Sequence, residues 1–394
     1  MSIPFAFRSP AFFRPASLAL LGALSGCHKA ETVVVAPPPK PKIPRRVAEA
    51  DLAKYRPNEA GAIMVLMYHR VRESEVDGDL NRRPATFRRD LQTLYDGGYY
   101  PVTALNLAEN NMDVPIGKTP VVLTFDDALI SQFHVIMGKD NTPHIDPNCA
   151  VGIMETFHKQ HPDWPTRATF FVLPHEGKNG DPFGQAESVG DKFAHLDKSG
   201  YEVANHTSTH NTMRGMDGAT VQRELATAFK DIKELAPHAA MQTFALPYGK
   251  PPRRDEVLKF LRAGTSGGQS YSHKAVFMAG WRPVLSPITR NDKKITDGGQ
   301  MSTFDPNHLE RVLPSEKQIG KPGSFDYWMQ WFAKNPGVRY ISDGLKGVVA
   351  VPIGAKNSVD VTRVQEQDKI LQVYGGATGG AAGKDKSGSS LSVE

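Results

Sequence analysis

Two acidic residues and two histidines have the types and spacing of a metal-dependent hydrolytic site. Asp126 and Asp127 directly follow an apolar, strand-like run, and His206 and His210 stand just after another. One carboxylate and two imidazoles form a facial triad for a divalent ion, which leaves positions open for water and substrate. A second, adjacent carboxylate would act as a base on that water. The sequence therefore predicts a metal site with a catalytic base beside it.

Strand-like and helix-like segments alternate along the chain around these residues. Apolar runs predict strands at Ala62–Met67, Tyr100–Thr103, Val121–Phe125, Arg167–Leu173, Tyr201–Ala204, Thr243–Tyr248 and Ala275–Ala279. Helical patterns lie at Thr86–Gly97, Leu105–Asn110, Asp191–Ser199, Thr220–Ala236 and Asp255–Ala263. Such alternation indicates a parallel α/β fold with its chemistry at the carboxyl ends of the strands, where Asp127 and His206 fall. The segment Phe325–Tyr374 is predicted to be either a last barrel helix or a small appended β element.

Each pair of residues is ambiguous when it is taken alone. Adjacent aspartates in a loop usually cap a helix or form a turn, and two histidines would be ordinary surface residues. The residues between His206 and His210 form helices poorly and no Glu follows His206, so this is not the zincin helix motif. At two strand ends of one fold, however, side-by-side carboxylates repel unless a cation or a proton neutralises one. The combination favours the metal interpretation.

Thr124–Asp127 and His206–His210 resemble the first two motifs of the polysaccharide deacetylase (NodB-homology) family of carbohydrate esterases. Other segments similar to that family are Val65–His69, Phe87–Tyr99, Ala168–Val172 and Pro247–Gly249. The resemblance covers roughly Ala62–Arg311, which is most of the chain between its two tails. It implies an α/β fold of the incomplete, distorted (β/α) barrel type.

The resemblance also implies a role for each motif residue. In that family the first Asp is the catalytic base, so Asp126 would deprotonate the attacking water. Asp127, His206 and His210 would hold a divalent metal ion, with Zn²⁺ as the expected ion, which would activate the water and polarise an acetamide or ester carbonyl. The backbone N–H of Tyr248, after the Pro of the third motif, would stabilise the tetrahedral oxyanion.

The sequence departs from the family pattern at three places. Ala245 stands where an Arg usually orients the catalytic Asp, and Ala128 stands where a Gly commonly follows the Asp pair. No Leu-x-His that would supply a general acid is found after Gly280. Without the Arg, Asp126 is expected to be less well oriented and its pKa less depressed.

Three residues are candidates to replace the missing Arg and His. His69 ends the first predicted strand on the same rim, and we include it among the predicted catalytic residues. His273 precedes the last strand, and Arg282 follows Trp281. Trp281 and Tyr248 would form an apolar wall against a sugar or an acyl group, although core packing explains them as well.

The two ends of the chain differ from its body. Arg8 and Arg14 precede a short apolar stretch, and Leu24–Cys27 is similar to a bacterial lipobox. We therefore predict a lipoprotein signal peptide at residues 1–26 with lipid attachment at Cys27. The rest of the chain is predicted to contain a Pro-rich tether at 27–57, a barrel at 58–345, a C-terminal extension at 346–374 and a disordered Gly/Ser-rich tail at 375–394.

Composition limits the partners. A formal net charge of +5 in 394 residues is mild and spread along the chain, so it gives no support to nucleic-acid binding. With Cys27 acylated, only Cys149 remains, and no internal disulfide can form. His28, rather than Asp, follows the lipidated position, which predicts sorting to the outer membrane, facing the periplasm.

We therefore expect a lipid-anchored, metal-dependent deacetylase that acts on a cell-envelope or environmental polysaccharide. The alternative is a weakly active or inactive carbohydrate-binding lipoprotein that keeps the metal site, which Ala245 and the absent late histidine favour. A hydrolase for a different amide or ester is a third reading. The sequence leaves open which sugar is bound, whether N- or O-acetyl groups are removed, and whether the protein oligomerises.

Overall fold

The computed structural model describes residues 45–73, 80–139, 141–175, 180–291 and 301–375. The predicted signal peptide, Cys27 and all but the first residue of the predicted tail lie outside these ranges. Within them, no helix is both long and apolar enough to cross a bilayer.

The described chain alternates strands with helices. The strands are β1 Ala62–Tyr68, β2 Arg70–Val71, β3 Asn81–Arg82, β4 Tyr99–Val102, β5 Thr119–Asp126, β6 Val135–Met137, β7 Pro143–Ile145, β8 Thr169–Val172, β9 Glu202–Asn205, β10 Thr243–Ala245, β11 Ala263–Ser266, β12 Gln269–Ser272, β13 Ala275–Phe277, β14 Val284–Leu285, β15 Val348–Pro352 and β16 Ile370–Tyr374. The helices are α1 Glu49–Tyr55, α2 Pro84–Asp96, α3 Ala104–Ala108, α4 Ala150–Gln160, α5 Val189–Lys198, α6 Gly218–Leu235, α7 Asp255–Leu258, α8 Phe325–Lys334 and α9 Val361–Glu366.

The central sheet follows the order β13-β10-β9-β8-β5-β1-β14. All neighbours from β13 to β1 run parallel, β4 lies parallel to the first half of β5, and β14 is antiparallel to β1. Every residue of β1 and of β5 is buried, as expected for parallel strands that are covered on both faces.

Residues 309–312 connect the two ends of this sheet. Leu309 exchanges backbone hydrogen bonds with the last parallel strand, through the N–H of Met278 and the carbonyl of Val276 (2.8 and 2.9 Å). Val312 does the same with β1, through the N–H of Met67 and the carbonyl of Val65 (2.8 and 2.7 Å). The wall therefore closes through isolated bridges rather than through a full strand. This geometry confirms the predicted α/β fold of the incomplete, distorted barrel type.

Alternate residues of the strands fill the barrel and cover its outside. Val65, Val122, Phe171, Ala204 and Phe277 belong to one buried cluster inside the wall. Their strand neighbours belong to other clusters, the largest of which includes residues of α2, α4, α5 and α8. Because side chains alternate between the two faces of a strand, Thr124 and Asp126 continue the inner row of Val122 and reach the carboxyl end of the barrel.

Several predicted boundaries are corrected by the structure. The predicted strand Thr243–Tyr248 stops at Ala245, because Pro247 has no N–H to continue a ladder and instead begins a 3₁₀ turn. The predicted helix Asp255–Ala263 ends at Leu258 and continues as a 3₁₀ turn. The helix α4 and the antiparallel hairpins β6–β7 and β11–β12 were not predicted. The strands of both hairpins are partly exposed and have little apolar alternation.

The C-terminal region contains both of the elements that the sequence left as alternatives. The helix α8 buries Phe325, Trp328 and Phe332, and β15 and β16 form a separate parallel pair. The domain boundary at residue 346 stays a prediction.

The last part of the predicted tether is folded. It contains α1, and Val47 and Leu52 are buried in a cluster with residues of β15. The backbone of Val47 also exchanges two hydrogen bonds of 2.9 Å with the side-chain amide of Gln372 in β16. The tether prediction is therefore wrong for residues 45–57, because the apolar residues there have the β15–β16 pair to pack against.

Two buried carboxyl groups join the C-terminal pair to the base of the barrel. Glu59 precedes β1 and accepts a hydrogen bond from the N–H of Asp343 (3.2 Å), and Asp343 accepts one from the N–H of Ala350 in β15 (2.9 Å). Burial and the neighbouring Asp343 raise the pKa of Glu59 to about 8, and burial raises the pKa of Asp343 to about 6. Glu59 therefore favours the protonated form at neutral pH in the folded protein.

We predict that the contribution of Glu59 to thermal stability falls as the pH rises from about 5 to 8. The pKa of Glu59 is higher in the folded chain than in the unfolded chain, so its stabilising proton is lost as the pH passes through the folded value. The variant Glu59→Gln should flatten this slope, and Glu49→Gln at an exposed position of α1 should not. Melting temperatures measured across this pH range test the prediction, and equal slopes for wild type and Glu59→Gln would contradict it.

Candidate metal and catalytic site

The site residues lie at the carboxyl ends of the parallel strands. Asp126 ends β5, His206 directly follows β9, and Tyr248 lies in the turn after β10. Left-handed backbone conformations are concentrated at this rim, at Asp127, Ala128, Thr207, His210 and Tyr248 (φ between 54° and 80°). Such conformations cost on the order of 1–3 kcal/mol each and tend to cluster at functional sites, where the surrounding structure holds them in place.

Asp127, His206 and His210 are brought together as predicted. One donor atom from each residue lies within 4.8 Å of the other two. Asp127 Oδ1 is 3.3 Å from His206 Nε2 and 3.4 Å from His210 Nε2. The carboxylate oxygen and both ring nitrogens thus converge on one small volume that a divalent ion would fit.

The protonation of His206 tests whether these residues suit a metal. Its Nδ1 lies 2.7 Å from the carbonyl oxygen of Ala245, which only accepts hydrogen bonds, so Nδ1 carries the proton. In the neutral ring, Nε2 then turns its lone pair toward Asp127 Oδ1. Both atoms are buried and have no hydrogen-bond partner among the described residues. Two buried electron-rich atoms at this distance need a cation or a proton between them, and a carbonyl on the far nitrogen is typical of metal-bound histidines.

The charges in the site favour the same arrangement. Burial opposes ionisation of Asp127, but the neighbouring His206 outweighs it and holds the pKa of this carboxyl well below its usual range. Burial lowers the pKa of His206, but Asp126 and Asp127 outweigh burial and raise it overall. Burial and the neighbouring His206 lower the pKa of His210. The two carboxylates thus favour a positive charge on His206 or a cation beside it.

Arg311 orients Asp126, a role that was not predicted from the sequence. The guanidinium forms two parallel hydrogen bonds with the carboxylate, from Nη1 to Oδ1 (2.6 Å) and from Nη2 to Oδ2 (2.7 Å). It is fixed in turn by the hydroxyl of Thr124 (3.1 Å), the carbonyl of Met278 (3.0 Å) and the ring of Phe171, whose centroid is 5.4 Å away. Both partners of the ion pair are almost fully buried.

The expectation that Asp126 lacks an orienting Arg is therefore wrong. Burial opposes ionisation of this carboxyl, but the charge of Arg311 outweighs it and lowers the pKa of Asp126 below the usual value. Arg311 takes the orienting role of the Arg that is missing at position 245. It does so from residues 309–312, which close the barrel wall and carry this side chain into its mouth. The available sequence signal was a run of apolar residues, Leu309–Leu313, interrupted by two charges.

Among the three proposed substitutes, the structure brings His69 to the site. Its Nε2 lies 3.8 Å from Asp126 Oδ2, and Gln132 donates hydrogen bonds to the backbone carbonyls of both residues (2.9 and 2.5 Å). Burial lowers the pKa of His69. The ring therefore favours its neutral form and lies beside the carboxylate that would act as the base.

The other two substitutes do not reach Asp126. His273 is buried against the ring of Phe244 and contacts the carbonyl of Leu261 through Nδ1 (2.8 Å). Arg282 forms an ion pair with Glu310. The suggestion that either residue replaces the missing Arg or His is wrong, because each has a structural partner elsewhere.

The loop that carries the two histidines is held from outside the site. Glu224 of α6 accepts three hydrogen bonds at one carboxylate oxygen, from the hydroxyl of Ser208 (2.9 Å) and from the N–H and hydroxyl of Thr209 (3.1 and 2.9 Å). Asn205 accepts a hydrogen bond from the N–H of Thr207 (2.9 Å). Thr207 accepts one in turn from the N–H of His210 (3.0 Å). The spacing of the metal ligands thus depends on these neighbours.

Both aromatic residues predicted to form an apolar wall are exposed, and Tyr248 lies beside the ligand set. Tyr248 is 60% exposed, and its ring centroid is 4.8 Å from that of His210. The turn requires the glycine that follows, because a Cβ at Gly249 would come within 2.7 Å of the backbone of Ala279. Trp281 is 53% exposed, and its carbonyl accepts a hydrogen bond from the indole of Trp328 (2.6 Å). The core-packing alternative does not hold for these two side chains, while the role of the Tyr248 N–H stays a prediction.

Comparison with known proteins supports the resemblance. Residues 113–263 match the family model described as polysaccharide deacetylase, which confirms the resemblance that the motifs predicted. Arg311 and His69 lie outside the matched range. The range includes Asp126, Asp127, His206, His210 and Tyr248.

Several solved structures resemble this chain at low sequence identity. The Streptococcus pyogenes deacetylase PplD in complex with acetate is 17% identical, with 68% of this chain and 97% of that chain covered and a TM-score of 0.46. The polysaccharide deacetylase BC0361 from Bacillus cereus is 15% identical over 67% of this chain and 69% of that one, with a TM-score of 0.46. IcaB from Ammonifex degensii is 18% identical over 68% and 97%, with a TM-score of 0.42.

We predict that Arg311→Lys lowers kcat/KM on an acetylated oligosaccharide by about 10²-fold or more, because Lys keeps the charge but not the bidentate geometry. The acid limb of the pH profile should move to higher pH. Asp126 must be ionised to accept a proton, and its pKa rises when the double hydrogen bond is lost. A matched variant, Arg282→Lys, alters an arginine that does not contact Asp126. An unchanged acid limb in Arg311→Lys, with the fold intact by thermal melting, would refute the orienting role.

We predict that Glu224→Ala weakens zinc binding by about 10- to 100-fold, because the ligand loop loses all three of its hydrogen bonds to α6. Glu234→Ala on the same helix is the control, since that side chain is exposed and paired only with Lys230. Competition with a chromogenic chelator measures both affinities. Equal affinities in the two variants would show that the loop holds its shape without Glu224.

Proposed function

We propose that this protein is a metal-dependent hydrolase that removes acetyl groups from a polysaccharide, with Zn²⁺ as the resident ion. One observation carries the proposal: the donor atoms of Asp127, His206 and His210 converge beside Asp126, which Arg311 holds ionised. The match of residues 113–263 to the polysaccharide deacetylase family supports the substrate class. The proposal covers both amide-linked and ester-linked acetyl groups.

The residues of the chain divide the chemistry between them. When bound, the divalent ion supplies Lewis-acid chemistry, namely a lower pKa for water and a more electrophilic acyl carbonyl. Asp126 accepts the proton of the attacking water through Oδ2, the oxygen that faces His69. His69 takes over this proton and delivers it to the leaving nitrogen or oxygen, which departs as an amine or an alcohol while acetate retains the oxygen of water. This role for His69 supplies the general acid that the sequence lacks after Gly280.

The turn after β10 provides the remaining contacts. We assign the backbone N–H of Tyr248 to the oxyanion that develops on the acyl oxygen, because the left-handed turn at this residue lies next to His210. The exposed rings of Tyr248 and Trp281 would lie against the sugar.

The place of action follows from the chain ends. The signal-like residues 1–26 and the lipobox-like Cys27 support a lipoprotein that is anchored in the cell envelope, with the outer membrane facing the periplasm as the proposed location. The substrate would then be a polysaccharide of the envelope or of the surroundings. The alternative of an inactive carbohydrate-binding lipoprotein rested on the Arg missing at position 245 and on the absent late histidine. The contact between Arg311 and Asp126 removes the first of these grounds.

Acetate release measures this function directly. We expect the zinc-loaded protein to release acetate from at least one of acetylated chito-oligomers, acetylated xylan and peptidoglycan fragments, and Asp126→Asn to reduce the rate by about 10²- to 10⁴-fold. Removal of the metal by a chelator should abolish release, and added zinc should restore it. His206→Ala should lose the bound metal as well as the activity.

The two parts of the proposal fail separately. If wild type binds no divalent ion, or if His206→Ala binds it equally well, the metal site is disproved. If metal binds as expected but no substrate loses acetate faster than with Asp126→Asn, the inactive binding protein becomes the better description.

A further inference from the structure

A small basic pocket lies beside the predicted metal ligands and is not used by the chemistry above. It has a volume of about 160 Å³, and its described lining consists of Arg70, Arg72, Gly184 and residues 128–131. Ala128 directly follows Asp127, and Arg70 directly follows His69. The pocket is therefore built by residues that follow the same strand ends as the candidate catalytic and metal-binding residues.

The two arginines are fixed in place by their backbone. In the extended segment that contains β2, alternate side chains share a face, so Arg70 and Arg72 point the same way while Val71 is buried. The N–H of Val71 donates to the hydroxyl of Ser131 (3.2 Å), and the side chain of Asn81 donates to the carbonyl of Arg72 (3.0 Å). The chain thus positions two guanidinium groups against the loop that follows the aspartate pair.

The remaining walls keep the pocket open and partly apolar. Ile130 forms one side and is 44% exposed. It packs closely on Gly184, where an added Cβ would lie 3.1 Å from the Ile130 side chain. The neighbouring Phe183 is held by a hydrogen bond from its N–H to the carbonyl of Ala128 (2.6 Å). None of the described lining residues is acidic.

This lining is suited to a small oxyanion. A guanidinium presents five N–H donors in a planar fork that matches carboxylate and phosphate oxygens, so it can hold a ligand beside a partner that it already has. Pockets for drug-sized ligands measure roughly 300–1,000 Å³. A volume of about 160 Å³ is therefore sized for a substituent and not for a whole sugar ring.

We propose that Arg70 and Arg72 form an anion subsite that binds an acidic substituent, a carboxylate or a phosphate, on the polysaccharide whose acetyl group reaches the metal ligands. The natural substrate is then an anionic polysaccharide. This inference rests on the proposed deacetylase function, which places the acetyl group of the polysaccharide at the metal ligands. The subsite itself consists of residues that take no part in the chemistry.

Binding of matched oligosaccharides tests the subsite. The probes are a chito-oligosaccharide with ether-linked carboxyethyl groups, its methyl ester, and the same oligosaccharide with phosphate groups. Each is used in its deacetylated form so that no turnover consumes it. We expect the zinc-loaded protein to bind one or both acidic probes at least about tenfold more tightly than the ester, and the preferred probe distinguishes carboxylate from phosphate. Arg70→Gln and Arg72→Gln should each reduce this preference toward equality and change ester binding less than twofold.

The control is Arg223→Gln. This arginine is an exposed residue of α6 and donates a hydrogen bond to the hydroxyl of Thr220. It should leave the preference unchanged. Equal binding of acid and ester by wild type, or a preference that survives in both pocket variants, overturns the subsite. With acetylated probes, the variants should raise KM for the acidic substrate and leave kcat nearly constant.

The outcome for the subsite and the outcome for the enzyme are separable. If the arginine-dependent preference is present but no acetylated probe releases acetate, the proposed function fails and the anion subsite stands. If acetate is released but the preference is absent, the function stands and the subsite is overturned.

Discussion

The ion pair between Arg311 and Asp126 depends on the closure of the barrel, and the candidate site depends on the ion pair. The two residues are 185 positions apart in the chain. They meet because residues 309–312 bond to β13 on one side and to β1 on the other. A carboxylate buried this deeply would favour its neutral form without a cation. The guanidinium keeps it charged and fixes the direction of both oxygens, which is what a base beside a metal requires.

A second contact, between the His206 ring and the carbonyl of Ala245, has a similar effect on the ligand set. It places the ring proton on Nδ1 and leaves Nε2 to face Asp127. The residue at position 245 therefore contributes its backbone oxygen to the site although its side chain contributes no charge. The end of β10 thus orients His206, while residues 309–312 supply the arginine that orients Asp126.

Those parts of the site that depend on local sequence pattern could be predicted from the sequence. Asp126, Asp127 and His206 follow strands that are apolar along most of their length, and the carboxyl ends of parallel strands meet at one rim. His69 was found in the same way, from its place after β1. The barrel type came from the family resemblance and not from the strand pattern.

Arg311 was not predictable in this way, because its partner is chosen by the path of a short segment that makes only isolated bridges and has no strand pattern of its own. The same limit applies to the folded part of the predicted tether. The apolar side chains of Val47 and Leu52 are too few to indicate a helix from sequence, and they become buried only because β15 and β16 lie beside them. Both features depend on contacts between residues that are far apart in the sequence.

X-ray absorption at the zinc edge of the metal-loaded protein tests whether Asp127, His206 and His210 hold the ion. We expect nitrogen and oxygen ligands at about 2.0–2.2 Å, with two imidazoles in wild type and one in His206→Ala or His210→Ala. An all-oxygen shell, a sulfur ligand, or an unchanged imidazole count in both variants would contradict it.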